Sequence, residues 1–394
     1  MNILRMTSAL AVSASFALTS CGGGGDGGGI GGTGAQGTLR MAITDAPSCG
    51  YDAVNITIEK VRVHQNASAA EGDAGWSEIV LSPARRIDLL TLSNGVLQDL
   101  GQTSLPAGKY TQLRLVLAAN GTASPPPNSV VPTGEAETAL TTPSAQQSGI
   151  KLNTDIDVAS DQVADFVLDF DACKSVVKRG NSGQYNLKPV ISVIPRLSDA
   201  GMRVVGYVDA SIAASTTLVS LQSSGVPVKA TAPDASGQFV LYPVPAGTYD
   251  LVVTSSGHVT AVMTGVPVVL TAYTYVSSSA VAIAPPAAAS APRAVAGTVA
   301  PPTATVRALQ TLTGGPTIEA AWAPVDALTG AFAFSLPIQA PVRTVYAVNP
   351  VTLVFAADAG AAGKYTIETA SAGALKTQPI DVNAAVPPLS FSFP

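Results

Sequence analysis

Leu105-Pro106-Ala107-Gly108-Lys109-Tyr110, running on into Gln112-Leu113-Arg114-Leu115-Val116-Leu117, is the stretch that decides the fold. Proline and glycine set a turn. Beyond it, apolar residues return at every second position, the period of a β-strand. The same A-G-x-Y element returns at Ala246-Gly247-Thr248-Tyr249 and at Ala362-Gly363-Lys364-Tyr365. Glycine accepts a turn conformation that residues with a Cβ resist. Tyrosine then enters the strand with its ring packed and its hydroxyl near the surface. A row of tyrosines can also form a sugar-stacking platform. The shared strand-entry context of Tyr110, Tyr249 and Tyr365 favours core packing.

Alternation of the same kind extends in both directions. Leu39, Met41 and Ile43 form one strand, which Thr44-Asp45-Ala46-Pro47 ends. Val54, Ile56, Ile58, Val61 and Val63 form another, with a bulge near Lys60. Phe166, Leu168 and Phe170 share a strand face. With 36 glycines and 29 prolines in 394 residues, long helices are not expected. The fold class is therefore all-β, with tandem β-sandwich domains of immunoglobulin-like or prealbumin-like type. The boundaries read from composition are a signal at 1–20, a Gly-rich tether at 21–36, and sandwiches at 37–197, 198–283 and 294–394. A semi-rigid Pro/Ala linker at 284–293 separates the last two. Gly121 to Ser148, rich in Pro, Ser, Thr and Ala, reads as a long mobile loop.

The N-terminus reads as an export signal. Arg5 supplies positive charge, Ala9 to Leu18 a short apolar core, and Thr19-Ser20 small residues before Cys21. This resembles a bacterial lipobox, which implies acylation of Cys21 and anchorage through lipid. Gly22 after the cysteine points to outer-membrane sorting, facing periplasm or cell surface. Gly29-Ile30-Gly31-Gly32-Thr33-Gly34 fits G-x-G-x-x-G, but no strand precedes it and no helix follows, so it reads as tether rather than nucleotide site. Of three cysteines, Cys49 and Cys173 remain after Cys21, and an oxidising compartment makes them an expected disulfide.

Five separated elements carry a further resemblance: Thr44-Asp45-Ala46-Pro47, Ile87-Asp88-Leu89-Leu90, Leu105 to Tyr110, Leu168-Asp169-Phe170-Asp171-Ala172, and Leu187-Lys188-Pro189-Val190. In this order they resemble a family of bacterial lipoprotein domains of unknown function, over roughly Gly37 to Arg196. The resemblance implies a β-sandwich on a lipid anchor and transfers no catalytic residue. Asp234-Ala235-Ser236-Gly237-Gln238-Phe239 and Pro245 to Tyr249 resemble the carboxypeptidase-regulatory or transthyretin-like sandwich. Asp326 to Phe334 and Ala362 to Tyr365 echo these elements as a diverged copy.

Chemistry-bearing patterns are sparse. The two histidines, His64 and His258, fall in different domains, which disfavours a multi-histidine zinc site. His258, next to Gly257 in a turn, reads as solvent-exposed. No G-x-S-x-G, H-E-x-x-H or G-x-x-x-x-G-K-[ST] occurs. A net charge of −5 offers no broad basic surface for nucleic acid. The densest polar constellation is Asp155, Asp157, Asp161, Asp165, Asp169 and Asp171. Alternation puts Asp165, Asp169 and Asp171 opposite Phe166, Leu168 and Phe170. A solvated sheet face is the plain reading, and a calcium site the sharper one. The expectation is a lipid-anchored, non-enzymatic binding or structural module without a bound cofactor. Its partners are the membrane through lipid, and an envelope protein or glycan. The alternatives are a calcium-dependent or carbohydrate-binding surface protein, and a hydrolase using an unrecognised carboxylate pair, which Asp169→Asn with activity screening would test.

Overall fold

The computed structural model describes residues 35–45, 50–142, 148–213 and 216–394. Strands dominate them, paired into sheets that enclose three large apolar cores in tandem, with a small fourth cluster of Val252, Val262, Leu312 and Ile318 between the second and third.

In the first sandwich, Gln36–Asp45 is a central strand, and its Leu39, Met41 and Ile43 are fully buried. It pairs antiparallel with Gln98–Pro106 and parallel with Val163–Phe170, and Ile191–Pro195 ends that sheet. The facing sheet is built on Tyr51–His64, whose register shifts between Ile58 and Lys60. Gly108–Leu117 pairs with it, and Ile150–Val158 forms one outer edge.

The quoted family elements prove to be architectural. Tyr110 is buried, and its hydroxyl donates to the carbonyl of Pro106 at 2.8 Å. Tyr249 repeats this on Pro245 at 2.9 Å, and Tyr365 reaches Pro337 at 2.8 Å. All three rings are buried in cores, which removes them as a sugar platform. Asp88 caps the short 3-10 helix Leu89–Leu92 by accepting from Leu90 N–H. Asp45 joins two elements distant in sequence: its Oδ1 accepts from the backbone of Ala172 at 2.8 Å.

Asp45 is 1% exposed, and its Oδ2 has no hydrogen-bond partner. Burial, ahead of the nearby Asp171 and Asp169 charges, pushes its carboxyl well above the ordinary carboxylate range. The folded chain thus keeps a proton that the unfolded chain sheds above about pH 4. Stability from this group is full below that pH and is lost as pH rises through the raised folded value. Asp45→Asn keeps the Ala172 acceptor and removes the titration. The variant is expected to gain on the wild type as pH rises from 4 to 8, by at most about 1.4 kcal/mol per unit. Urea midpoints across that range check it, and parallel pH profiles would refute it.

Two segments differ from the sequence reading. Within 121–148, expected to be a loop, the strands Ser129–Pro132 and Thr138–Thr141 add to the sheet. Buried Asn128 and half-buried Asn120 supply what composition hides. Asn128 donates to Ala118 O at 2.7 Å and accepts from Thr57 N–H at 3.0 Å, while Asn120 donates to Asn128 O and Leu140 O. The Pro/Ala linker also docks back on the second sandwich, where Val259 N–H donates to Pro286 O and Ala288 N–H to Gly257 O.

The second sandwich has three- and six-stranded sheets, the third three- and four-stranded ones. In the three-stranded sheets, Val204–Tyr207 lies between Gln238–Leu241 and Thr274–Tyr275, as Arg293–Ala300 lies between Ala331–Leu336 and Leu389–Ser392. A strand from the C-terminal region, Val342–Val345, leaves its own sandwich and pairs parallel with Ala261–Val268 of the second. Periodicity gives no hint of this exchange, since a four-residue strand reads the same in either sheet.

The second and third sandwiches meet through the apolar cluster of Val252, Val262, Leu312 and Ile318, and polar contacts join all three. Glu319 of the third accepts from Lys174 Nζ of the first at 2.9 Å. Its backbone N–H donates to Gln222 of the second at 2.7 Å, and Arg307 lies 3.6 Å from its carboxylate. Lys229 of the second sandwich binds Asp169 of the first.

Candidate functional site

A concavity lies on the side of the first sandwich where the two sheets part. Ile150–Val158 ends one sheet and Ile191–Pro195 ends the other, and a cleft of about 800 Å³ opens between them. The turn 159–162 carries the chain from the first sheet into Val163–Phe170 of the second and closes one end. Phe166, Val193 and Pro195 give the lining an apolar component, and the strand alternation that buries Ile156 and Val158 leaves Asp155 and Asp157 exposed at the rim.

Asp165 is the innermost charge. Its side chain is 9% exposed, and its Oδ2 accepts from Arg40 Nε at 2.8 Å and lies 3.1 Å from Arg196 Nη2. Its Oδ1 is buried without a hydrogen-bond partner. Donating to Asp165 raises the Arg40 guanidinium above its ordinary value. Arg196 also reaches Asp199 at 3.5 Å. There the hydroxyl of Tyr242, donating at 2.7 Å, holds the Asp199 carboxyl below its usual range. Burial, followed by the Asp199 carboxylate, pushes the Tyr242 phenol up to about 12. At the rim, Lys109 meets Asp155 at 2.6 Å, and that hydrogen bond raises its ammonium above the ordinary lysine value. Asp157 forms no ion pair among the described residues.

The six aspartates of the sequence reading therefore separate. Asp155, Asp157 and Asp165 line the cleft. Asp161 sits in the turn before Val163, in a left-handed conformation. Asp169 is bound to Lys229 of the second sandwich. Asp171 lies past the strand end, where it caps Ala172–Ser175 by accepting from Lys174 N–H at 2.9 Å. Burial above all raises its carboxyl.

This corrects the expected solvated face. The side chains of Asp165 and Asp169 are 9% and 11% exposed, and Val167 between them is fully buried. It also corrects the calcium trio, because Asp165, Asp169 and Asp171 each turn to a different cationic or amide partner. Among the described residues no group of three or more His, Cys, Asp or Glu side chains is placed to hold a metal ion. Sequence reasoning missed Arg40 and Arg196. Arg40 meets an acid 125 positions away, which leaves no local periodic signal.

The histidines are held apart in structural roles. His64 Nδ1 accepts from Asn66 N–H at 2.9 Å and Nε2 lies 3.0 Å from Ala74 O. His258, expected to be exposed, is half-buried and bridges to Ala287. Cys173 is disulfide-bonded. Cys21, Cys49 and the glycine tract lie outside the described residues.

The first sandwich and its cleft can be placed among known proteins. Residues 36–189 match a family described as a domain of unknown function, DUF4382. The DUF4382 region holds most of the cleft, whereas Val193, Pro195, Arg196 and Leu197 fall beyond it. Among solved structures, two interface mutants of a type II cohesin–X-dockerin complex from Acetivibrio cellulolyticus are similar in part. Both show 26% identity. The first covers 22% of this chain and 59% of its own with a TM-score of 0.20, the second 21% and 56% with 0.18. A likeness of that extent carries no functional argument. No curated protein matches the chain significantly.

Proposed function

We propose that this chain is a lipid-anchored cell-envelope protein that acts by binding rather than by catalysis. The observation that carries the reading is the cleft of the DUF4382 region. It joins apolar floor to carboxylate rim on one open side of the sandwich, the usual composition of a recognition site. Its inner charges are already committed to ion pairs, and such pairs position groups rather than transfer protons. Asp169, the acid whose substitution would test the carboxylate-hydrolase alternative, is bound by Lys229 and lies outside the cleft lining.

Acylated Cys21 anchors the chain in the outer membrane, facing the periplasm or the cell surface. The order of charged start, apolar core, small residues and cysteine supports this. Cys173 bonds to Cys49, a pairing supported by the export signal and by the cysteine count. The second and third sandwiches serve as carboxypeptidase-regulatory or transthyretin-like supports for the first. An envelope protein or glycan is the partner.

Fractionation of cell envelopes tests the anchor. Wild-type chain is expected in the membrane pellet until detergent is added, and Cys21→Ser in the soluble fraction with an unchanged β-type circular dichroism spectrum. Peptide mapping of the same sample without reductant is expected to yield a Cys49–Cys173 cross-link. A Cys21→Ser chain that stays in the pellet overturns the anchor, and two free thiols overturn the pairing.

A further inference from the structure

We infer that the cleft of the first sandwich is a strand-addition site, which takes an extended, cationic segment of a partner polypeptide between the edges Ile150–Val158 and Ile191–Pro195. The inference rests on the binding reading above and names the ligand class and the mode of recognition.

The backbone supplies the first reason. Among the described residues each of these strands is terminal in its sheet and has one partner strand, so one row of its N–H and C=O groups faces away from that partner. Unpaired edges are templates for another strand, and folded proteins commonly protect them. Here the two edges flank one cleft. An extended peptide laid along either edge satisfies main-chain groups by the pattern used in β-augmentation.

Side chains supply the second reason. A strand presents alternate residues to opposite faces. The inner face of an added strand would meet Phe166, Val193 and Pro195, and would cover Val163 and Leu197, which stand 56% and 68% exposed. Apolar residues at every second position suit that floor.

Charge decides the class of partner. Asp157 stands exposed at the rim without an ion pair among the described residues, beside Asp155. Deeper in, Asp165 is 9% exposed yet keeps Oδ1 without any hydrogen-bond partner. A buried carboxylate oxygen without a donor carries an unmet desolvation cost, which an N–H or ammonium donor would offset. The unmet capacity is for donors and positive charge, so Lys or Arg at the intervening positions fits, and an anionic segment is repelled. The tether of this chain is no substitute: between Gly22 and Gly34 its only side chains beyond glycine are Asp26, Ile30 and Thr33, none of them basic.

The probe is a labelled seven-residue peptide alternating lysine and valine, titrated into the full-length chain in detergent and followed by fluorescence anisotropy. Saturable binding is expected, with hydrogen-exchange protection gained in 150–158 and 191–195. The glutamate–valine counterpart is expected not to bind. Methylation of alternate backbone nitrogens is expected to weaken binding at least about tenfold, because it removes the ladder donors. Asp157→Lys is expected to weaken the lysine peptide about two- to fivefold, as for an exposed charge pair, without moving the melting temperature.

Equal binding of both peptides, indifference to backbone methylation, or protection outside the two edges overturns the strand-addition inference. If a neutral glycan instead protects the cleft, the binding reading stands and this inference falls. If neither peptide nor glycan protects the cleft, both fall.

Discussion

A Lys229→Met variant is expected to lose about 3–5 kcal/mol of stability, the range for breaking one side of a buried ion pair. Lys229 lies on Val226–Thr231 with a side chain 1% exposed, and it binds Asp169, itself 11% exposed, across the junction of the first two sandwiches. Removing the ammonium strands the Asp169 carboxylate in a setting that already holds two other acids. Asp169 contributes to raising the carboxyls of both Asp45 and Asp171, whereas Lys229 lowers that of Asp45. Methionine fills a similar volume, so the loss reports charge rather than cavity.

The control is Lys229→Met combined with Asp169→Asn. With both charges gone, more than half of the loss is expected to return, because replacing a buried pair outright costs far less than orphaning one member. Urea unfolding by circular dichroism measures both variants. The two tryptophans, Trp76 in the first sandwich and Trp322 in the third, report whether these regions unfold together. A single-variant loss below about 1 kcal/mol, the scale of an exposed pair, would refute the buried-pair account.

This junction marks the limit of what the sequence discloses. Strand identity was legible wherever one face is buried: Leu39, Met41 and Ile43 alternate in sequence and are fully buried in the structure. The turns were legible too, because Gly108 and Gly237 occupy positive-φ positions that glycine alone accepts without strain. Asp169 was placed on the correct face of its strand but misread as solvated. Alternation reports which residues share a face, not what later packs against it. Lys229, 60 positions away, is what covers that carboxylate. Asn120 and Asn128 were hidden for a related reason, since Asn suits loops by composition and here bonds the backbone beside the sheet. At the cleft, the rim acids were singled out in advance. The two strand edges that define it depend on sheet order, which periodicity does not encode.

The glycine of the second sandwich's turn permits the other large prediction. Gly237→Ala is expected to destabilise by about 2–6 kcal/mol, combining backbone strain of about 1–3 kcal/mol with overpacking of similar size. Gly237 has φ of +84°, and a Cβ there would collide with the carbonyl oxygen of Val208. The neighbours have little room to move. Val208 N–H donates to Gly237 O at 2.9 Å, and Gly237 N–H donates to Asp234 O at 2.9 Å. Asp234 Oδ1 also accepts from the backbone of Ser236 and Gln238 at 2.8 and 3.0 Å. The turn then delivers Phe239, fully buried, onto Gly206 of the neighbouring strand. The third sandwich repeats the arrangement, with Gly330 at φ +69° against the Val299 carbonyl and Phe332 over Gly297. Gly257→Ala separates the two costs. Gly257 has φ of +73°, and a Cβ there meets nothing within 4 Å, so only the strain component, about 1–3 kcal/mol, is expected. Urea midpoints compare the two variants. Equal losses would mean that the Val208 carbonyl yields, and that glycine is required at 237 for its φ alone.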